Sequence, residues 1–236
     1  MHNLSRITLL CLIIGLQACA PPVERKVSSG ISTLAVFPQD TYQAAAKHGE
    51  PVYAINTDES EVMIYVYRGG VLSKMGHDHV VISRDVHGFA LLSEEADKAK
   101  ADLYVPLKTL IVDEPSVRVQ AGFGSNLSES AISGTRHNML EKVLEAESYP
   151  YVFIHTEVDG GIYKQQIVRV DMTLHGVTRT LTVPVEIERS KKKLAIHGKM
   201  LLRQSDFGIE PFSVFGGALR VKDEVVLSFR LQANRL

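Results

Sequence analysis

Apolar residues alternate with other residues along most of the chain after residue 50. Val62, Ile64 and Val66, for example, occupy every second position. A period of two is typical of a β-strand that buries one face and exposes the other to water. Antiparallel sheets carry this alternation, whereas parallel sheets are apolar on both faces. We predict antiparallel strands over residues 51–57, 60–70, 79–93, 99–112, 150–158, 162–174, 177–189, 193–204 and 224–234.

Short turns connect the later predicted strands into a meander. His175-Gly176 is typical of a two-residue turn in which Gly takes a positive φ and His tolerates one. Residues 159–161 and 190–192 join the neighbouring strands. A sheet of many antiparallel strands must protect its edges, and closure into a barrel removes them. We therefore predict an all-β fold, an antiparallel β-barrel of about eight strands, with a β-sandwich as the alternative.

The segment 126–147 departs from the strand pattern. It is polar at first, and its apolar residues within 139–144 then follow helical spacing. Pro150 ends the segment, because the residue before a proline disfavours the α conformation. We predict one short helix over residues 136–146 that crosses one end of the barrel.

The first 18 residues resemble a bacterial lipoprotein signal peptide. Arg6 precedes an apolar run over residues 7–16, which is about half the roughly 20 residues that a transmembrane helix needs. The run leads into Leu16-Gln17-Ala18-Cys19, similar to the lipobox in which the Cys is acylated and becomes the first mature residue. An ordinary cleaved signal followed by a chance Cys is the alternative. We predict a signal peptide over 1–18, a lipid-anchored tether over 19–50 and a barrel domain over 51–236.

The resemblance to lipoproteins also implies a location. Two or more acyl chains hold a protein stably on a membrane, whereas one chain does so only marginally. Ala20 rather than Asp follows Cys19, and in Gram-negative lipoproteins this implies transfer to the outer membrane. We expect a protein of the bacterial cell envelope, anchored in the outer membrane and facing the periplasm.

Cysteine and charge content narrow the functional classes. The chain has 2 Cys, Cys11 inside the predicted signal peptide and Cys19 at its end, so we expect neither a disulfide framework nor a Cys-based metal site in the barrel. The net charge of −1 lacks the basic footprint of a nucleic-acid-binding protein. No nucleophile elbow or metalloprotease spacing occurs, so we do not expect an enzyme. We leave a homodimer open.

Four stretches of the chain carry a resemblance to a known family. The first stretch is the opening strand pair at residues 53–66, and the second is a strand followed by a helix and a Tyr-Pro stop at 110–150. The third is the Gly-Val-Thr hairpin at 170–179, and the fourth is a late Asp-Phe turn at 206–209. Together they are similar to the YceI-like family of periplasmic, lipocalin-like barrels, over about residues 51–234.

This resemblance implies a barrel interior that binds a polyisoprenoid or the tail of an isoprenoid quinone. An eight-stranded barrel can hold one small ligand, or its side chains can fill it completely. A filled core, in a structural or stress-related envelope protein without a ligand, is therefore the alternative. The predicted ligand-lining residues are Val62, Ile64, Val66, Leu103, Val105, Leu107, Leu181, Val183 and Phe229.

The most distinctive polar feature is the segment Gly76-His77-Asp78-His79. On a strand, His77 and His79 would share one face and could bind one metal ion, with His137 as a third ligand. In the alternative interpretation, both are hydrogen-bonded structural residues at the barrel rim. Arg118 and Arg136 could meet a ligand head group, but we interpret them as solvated surface charges.

Overall fold

One antiparallel sheet accounts for most of the described part of the chain. The computed structural model describes residues 37–93, 98–124, 127–159 and 161–236. Its strands are β1 (Val52–Ile55), β2 (Glu61–Gly69), β3 (His79–Ser83), β4 (His87–Ser93), β5 (Lys98–Pro106), β6 (Ile111–Val112), β7 (Tyr151–Asp159), β8 (Gln165–Leu174), β9 (Val177–Arg189), β10 (Lys193–Arg203), β11 (Ser213–Val214) and β12 (Leu219–Arg235). Its α-helices are α1 (Gln39–Lys47), α2 (Pro115–Gln120) and α3 (Glu129–His137).

The long strand β12 closes this sheet into a barrel. One part of β12 pairs with β2 and another part with β1, while its other edge pairs with β10. Strands β1 and β2 therefore occupy one position in the ring of strands, with a break between them. Strands β3 and β4 occupy the next position, because β3 pairs with β2 and β4 pairs with β1. The ring has eight positions, and the other six are occupied by β5, β7, β8, β9, β10 and β12. The predicted all-β barrel is confirmed.

Two predicted strands are each divided in the structure. The predicted strand 79–93 is divided into β3 and β4 at residues 84–86, opposite the 3₁₀ turn Thr57–Glu59 that separates β1 from β2. The hydroxyl of Thr57 donates to the carbonyl of Val86 across this break, at 3.1 Å. The predicted strand 99–112 is divided into β5 and β6 by the 3₁₀ turn Leu107–Thr109. Alternation continues through such breaks, so a periodic pattern cannot locate them.

Helices cover one end of the barrel, which we call the helical end. The predicted helix over 136–146 begins earlier, as α3 at Glu129, and continues as a π-helical turn over Asn138–Val143. The hydroxyl of Ser128 caps α3 by accepting from the N–H of Ala131. Helix α2 was not predicted, since it has only 6 residues. Buried Leu140 packs inward with Val81 and Leu110.

Helix α1 packs on the outer surface of the barrel. Tyr42 is buried, its ring stacks on Phe89 of β4 at 5.4 Å between centroids, and its hydroxyl donates to Asp102 Oδ2 at 2.6 Å. Residues 39–47 of the predicted tether are therefore part of the folded unit. The predicted signal peptide and Cys19 lie outside the described residues. Among the helices of the described ranges, none combines the length and apolarity that a membrane span requires.

A two-residue turn and a buried cluster around Phe207 complete the barrel near the helical end. His175 and Gly176 have φ of 52° and 72°, as predicted for the two-residue turn between β8 and β9. Strands β9 and β10 pair only between Val185–Arg189 and Leu194–Gly198. Beyond that stretch, fully buried Phe207 packs in a cluster with Leu202 and Leu181.

Candidate functional site

The barrel interior contains two cavities. The larger cavity, of about 290 Å³, lies toward the helical end. The smaller cavity, of about 180 Å³, lies toward the opposite end. Both are lined mainly by the inward-facing apolar residues of the strands. Their shared lining residues are Val62, Ile154, Met172 and Leu227, so the two cavities meet at the middle of the barrel.

A pairing of Phe229 with Gly198 shapes the smaller cavity. The two residues are cross-strand partners on β12 and β10. A side chain at position 198 would collide with the Phe229 ring, so the ring occupies the space that Gly198 leaves free. Phe229 itself lines the smaller cavity. Because Gly198 has no Cβ, the Phe229 ring of the neighbouring strand can lie against its backbone.

Eight of the nine predicted lining residues face a cavity. Their inward orientation follows from the period-two alternation of the strands. Leu181 is the exception, because it packs against the cluster around Phe207. The larger cavity is lined by Val62, Ile64, Val66, Val105 and Leu107, and the smaller by Val62, Leu103, Val183 and Phe229.

A buried ionic network stands beside the larger cavity. His79, which lines the cavity, contacts Asp113 through Nδ1···Oδ2 at 2.5 Å. Asp113 has a positive φ of 56° and is 0% exposed. Its Oδ1 accepts from the N–H of Val80 at 3.1 Å and from Arg118 Nη1 at 2.5 Å. The network joins the first residue of β3 to the segment between β6 and α2.

Arg118 supplies the positive charge of this network. The prediction that Arg118 is a solvated surface charge was wrong. It is 3% exposed. Besides Asp113, its guanidinium donates to the carbonyls of Asp78, Phe123 and Gly124. Protein acceptors therefore surround the guanidinium of Arg118, which a buried cation requires. Arg136 donates to the carbonyls of Leu110 and Lys108.

Asp113 is held in its ionised form. Burial alone would raise the pKa of its carboxyl, because a low dielectric disfavours the charge. The hydrogen bonds from His79, Val80 and Arg118 outweigh that effect and hold the pKa of Asp113 below its usual range. An ionised carboxylate can only accept hydrogen bonds, so His79 must carry a proton on Nδ1.

The predicted metal site does not form. His77 precedes β3, so it does not share a strand face with His79, and both His77 and His137 are exposed. Within the described residues, no three His, Cys, Asp or Glu side chains come close enough together to hold a metal ion. His79 instead has the hydrogen-bonded role that was the alternative prediction.

The smaller cavity has a polar group of its own. Gln166 lines it, and the Gln166 side-chain oxygen accepts from the N–H of Tyr163 at 2.9 Å. Its amide nitrogen is buried and has no hydrogen-bond partner among the described residues. Asp113, Arg118 and Gln166 were all missed as site residues in the sequence. An Asp directly after a short apolar strand was the one weak signal for Asp113.

Comparison with known proteins decides the family. The family model of the YceI-like domain matches residues 53–233. The chain belongs to the YceI-like family. A comparison with curated protein sequences finds no match.

Solved structures with a similar fold include two bacterial proteins. One is a polyisoprenoid binding domain from Saccharophagus degradans implicated in plant cell wall breakdown. It is 13% identical, with a TM-score of 0.56 over 79% of this chain and 100% of that chain. The other is BcnA of Burkholderia cenocepacia, 14% identical with a TM-score of 0.55 over 75% of this chain and 98% of that one. At these identities the likeness shows that the fold is shared.

Proposed function

We propose that this YceI-like protein binds an isoprenoid or quinone-like lipid inside the barrel and does not catalyse a reaction. The observation that carries the proposal is the pair of cavities of about 290 Å³ and 180 Å³, which meet within one apolar interior. Barrels that only pack a core leave few voids larger than a water molecule. The polyisoprenoid-binding neighbour from Saccharophagus supports this class of ligand.

An isoprenoid tail suits this interior for a physical reason. Its burial is driven by removal of apolar surface from water, at roughly 25 cal/mol per Å², and needs no polar partner. Two cavities that meet at the middle of the barrel suit a chain better than a compact ligand. The polar side chains His79 and Gln166 stand in different cavities, so each could meet a polar group near one end of such a chain.

Extraction of the purified protein tests this proposal. We expect mass spectrometry of an organic extract, from protein prepared without detergent, to contain an isoprenoid lipid. Leu227→Phe narrows the junction of the cavities and should lower the amount of lipid several-fold. Leu201→Phe makes the same chemical change at an outward, exposed position of β10 and should leave it unchanged. Wild-type protein that yields no lipid would contradict the proposal and favour a structural envelope protein.

We further propose that Cys19 is acylated and tethers the barrel to the outer membrane, facing the periplasm. A tether would keep the barrel close to the membrane in which such a lipid resides. Cys19→Ser should release the folded protein into the soluble periplasmic fraction, with unchanged circular dichroism. If Cys19→Ser protein stays in the outer-membrane fraction, another segment holds it there and the tether at Cys19 is wrong.

A further inference from the structure

His79 lines the larger cavity, and its contact with Asp113 fixes a proton on one of its two ring nitrogens. Its Nδ1 carries a proton and donates it to Asp113, at 2.5 Å. In neutral imidazole the second nitrogen is then an acceptor. The contact with Asp113 uses Nδ1, and the His79 ring lines the cavity, so Nε2 is the ring nitrogen left for a ligand there.

Asp113 is also paired with Arg118 at 2.5 Å, on the side of the carboxylate away from the cavity. The other polar residues that line the larger cavity are Ser83, Thr135, Asn138 and Gln204, and none of them is ionisable.

We propose that His79 is the neutral tautomer with its proton on Nδ1 and that its Nε2 accepts a hydrogen bond from a hydroxyl on the ligand, so the site selects an isoprenoid alcohol or phenol over an ether or a quinone carbonyl. This inference rests on the proposed function, because it assumes that a lipid enters the larger cavity. A quinone carbonyl and an ether oxygen both lack the proton that Nε2 requires. Asp113 and Arg118 are positioning residues, since they orient the ring without contacting the ligand.

Two matched probes test the selection. Farnesol carries a terminal hydroxyl, and farnesyl methyl ether replaces its proton with a methyl group. We expect delipidated wild-type protein to bind farnesol roughly three- to tenfold more tightly than the ether, the range for one neutral hydrogen bond. In His79→Leu the ratio should fall to about one, whereas His137→Leu, at an exposed position, should preserve it. A preserved ratio in His79→Leu would overturn the proposal.

The remaining outcomes separate the two proposals. If wild-type protein binds both probes equally, the role of His79 is wrong while lipid binding stands, and this holds even if His79→Leu does not fold. If it binds neither, both proposals are wrong. Nitrogen-15 spectra of His79 give a direct readout, since Nε2 should be the unprotonated nitrogen and its resonance should move with farnesol but not with the ether.

Two loops at the helical end support a second, independent inference. Residues 70–76 and 215–218 touch through their backbones, and the N–H of Leu72 donates to the carbonyl of Ala218 at 2.8 Å. Together they present Val71, Met75 and Phe215, which are 90%, 69% and 72% exposed. We call these two loops the apolar tip.

Basic side chains predominate around the apolar tip. Lys74, Arg220 and Lys222 are exposed beside it, and residues 66–77 and 211–222 contain no Asp or Glu. The nearby Asp78 is paired with Arg68. The tip also adjoins the larger cavity, which is lined by Phe212 and Val221. Exposed apolar side chains within a basic rim match the surface of an anionic bilayer.

We infer that the apolar tip inserts into an anionic lipid bilayer and brings the larger cavity to the membrane. The chain contains no Trp, so a single introduced Trp reports its own position. In full-length protein on vesicles of phosphatidylcholine and phosphatidylglycerol, Phe215→Trp emission should shift to the blue and be quenched by brominated lipid. Tyr163→Trp, an exposed site toward the opposite end of the barrel, should show neither effect.

The controls address the anchor and the charge. The variants share the same Cys19, so anchoring alone would affect both reporters equally. Equal quenching of the two reporters, or quenching of neither, would overturn the inference. Vesicles of phosphatidylcholine alone, or Lys74→Glu with Arg220→Glu, should reduce the Phe215→Trp signal several-fold. A signal unchanged by both would show that an anionic surface is not the partner.

Discussion

Two Asp–His pairs of similar geometry serve different purposes in this protein. His79 contacts Asp113 at 2.5 Å beside the larger cavity, and His155 contacts Asp102 at 2.7 Å on the outer surface of β5 and β7. Asp113 is 0% exposed and is balanced by Arg118. The Asp102 side chain is 18% exposed and accepts from the hydroxyl of Tyr42 in α1.

The difference between the pairs lies in what surrounds them. In the inner pair, removal of one charge leaves another charge buried without a partner, which strongly destabilises the folded protein. In the outer pair water can replace a lost partner, and the pair acts as one attachment point for α1. The same two side chains thus orient a cavity-lining ring in one place and fasten a helix in the other.

Asp113→Asn should have the largest effect on stability. Asn keeps the shape of Asp and also tolerates the positive φ at this position, so the change removes mainly the charge. It leaves Arg118 buried without its counter-charge, and we expect a loss of about 3–5 kcal/mol in the free energy of unfolding. Urea denaturation measures this loss.

The outer pair supplies the control for that experiment. Asp102→Asn should cost only about 0.2–1 kcal/mol, since the pair is partly hydrated. Equal losses in the two variants would show that burial does not distinguish the pairs.

Lowering the pH should reveal how much the ionised Asp113 contributes to stability. The pKa of Asp113 is lowered in the folded protein, against burial, by the bonds from His79 and its other partners. Its stabilising contribution is therefore complete above the ordinary Asp pKa of about 3.9 and is lost as the pH falls from there through the lower folded value. Urea midpoints measured as the pH is lowered should fall less steeply in Asp113→Asn than in wild type. Identical slopes would assign the acid sensitivity to other groups.

Tyr42→Phe should give the smallest effect. It keeps the ring that stacks on Phe89 and removes only the hydroxyl that donates to Asp102. We expect α1 to detach more easily by about 1 kcal/mol, seen as faster amide exchange within α1, while the affinity of the barrel for lipid stays the same. Tyr163→Phe, at an exposed position, should not change this exchange. Weaker lipid binding in Tyr42→Phe would show that α1 and the cavities are coupled.

The inward face of the barrel was predictable, residue by residue, for a simple reason. A strand has a period of two, so the alternation of Val62, Ile64 and Val66 predicts which face of the strand points into the barrel. Leu181 fits the same pattern but packs against Phe207, which lies in the distant 3₁₀ turn Gln204–Phe207. The strand break at residues 84–86 was not predictable, since the 3₁₀ turn Thr57–Glu59 opposite it belongs to another part of the chain.

The ionic network was beyond sequence reasoning. His79, Asp113 and Arg118 are joined only when β3 meets the segment after β6. Arg side chains are mostly exposed, which led to the wrong prediction of a solvated Arg118. The His77 and His79 spacing likewise predicted a shared strand face, but β3 begins only at His79.

The sequence alone determined the all-β class, the antiparallel pairing, the two-residue turn at His175-Gly176 and the family, because these depend on local periodicity and short motifs. Only the tertiary structure decided that cavities remain in the barrel, that α1 packs on its outer surface, and that His79 faces the larger cavity with Asp113 and Arg118 behind it. Those features depend on contacts between residues far apart in the chain, and a cavity is set by the space that all of the side chains together leave unfilled.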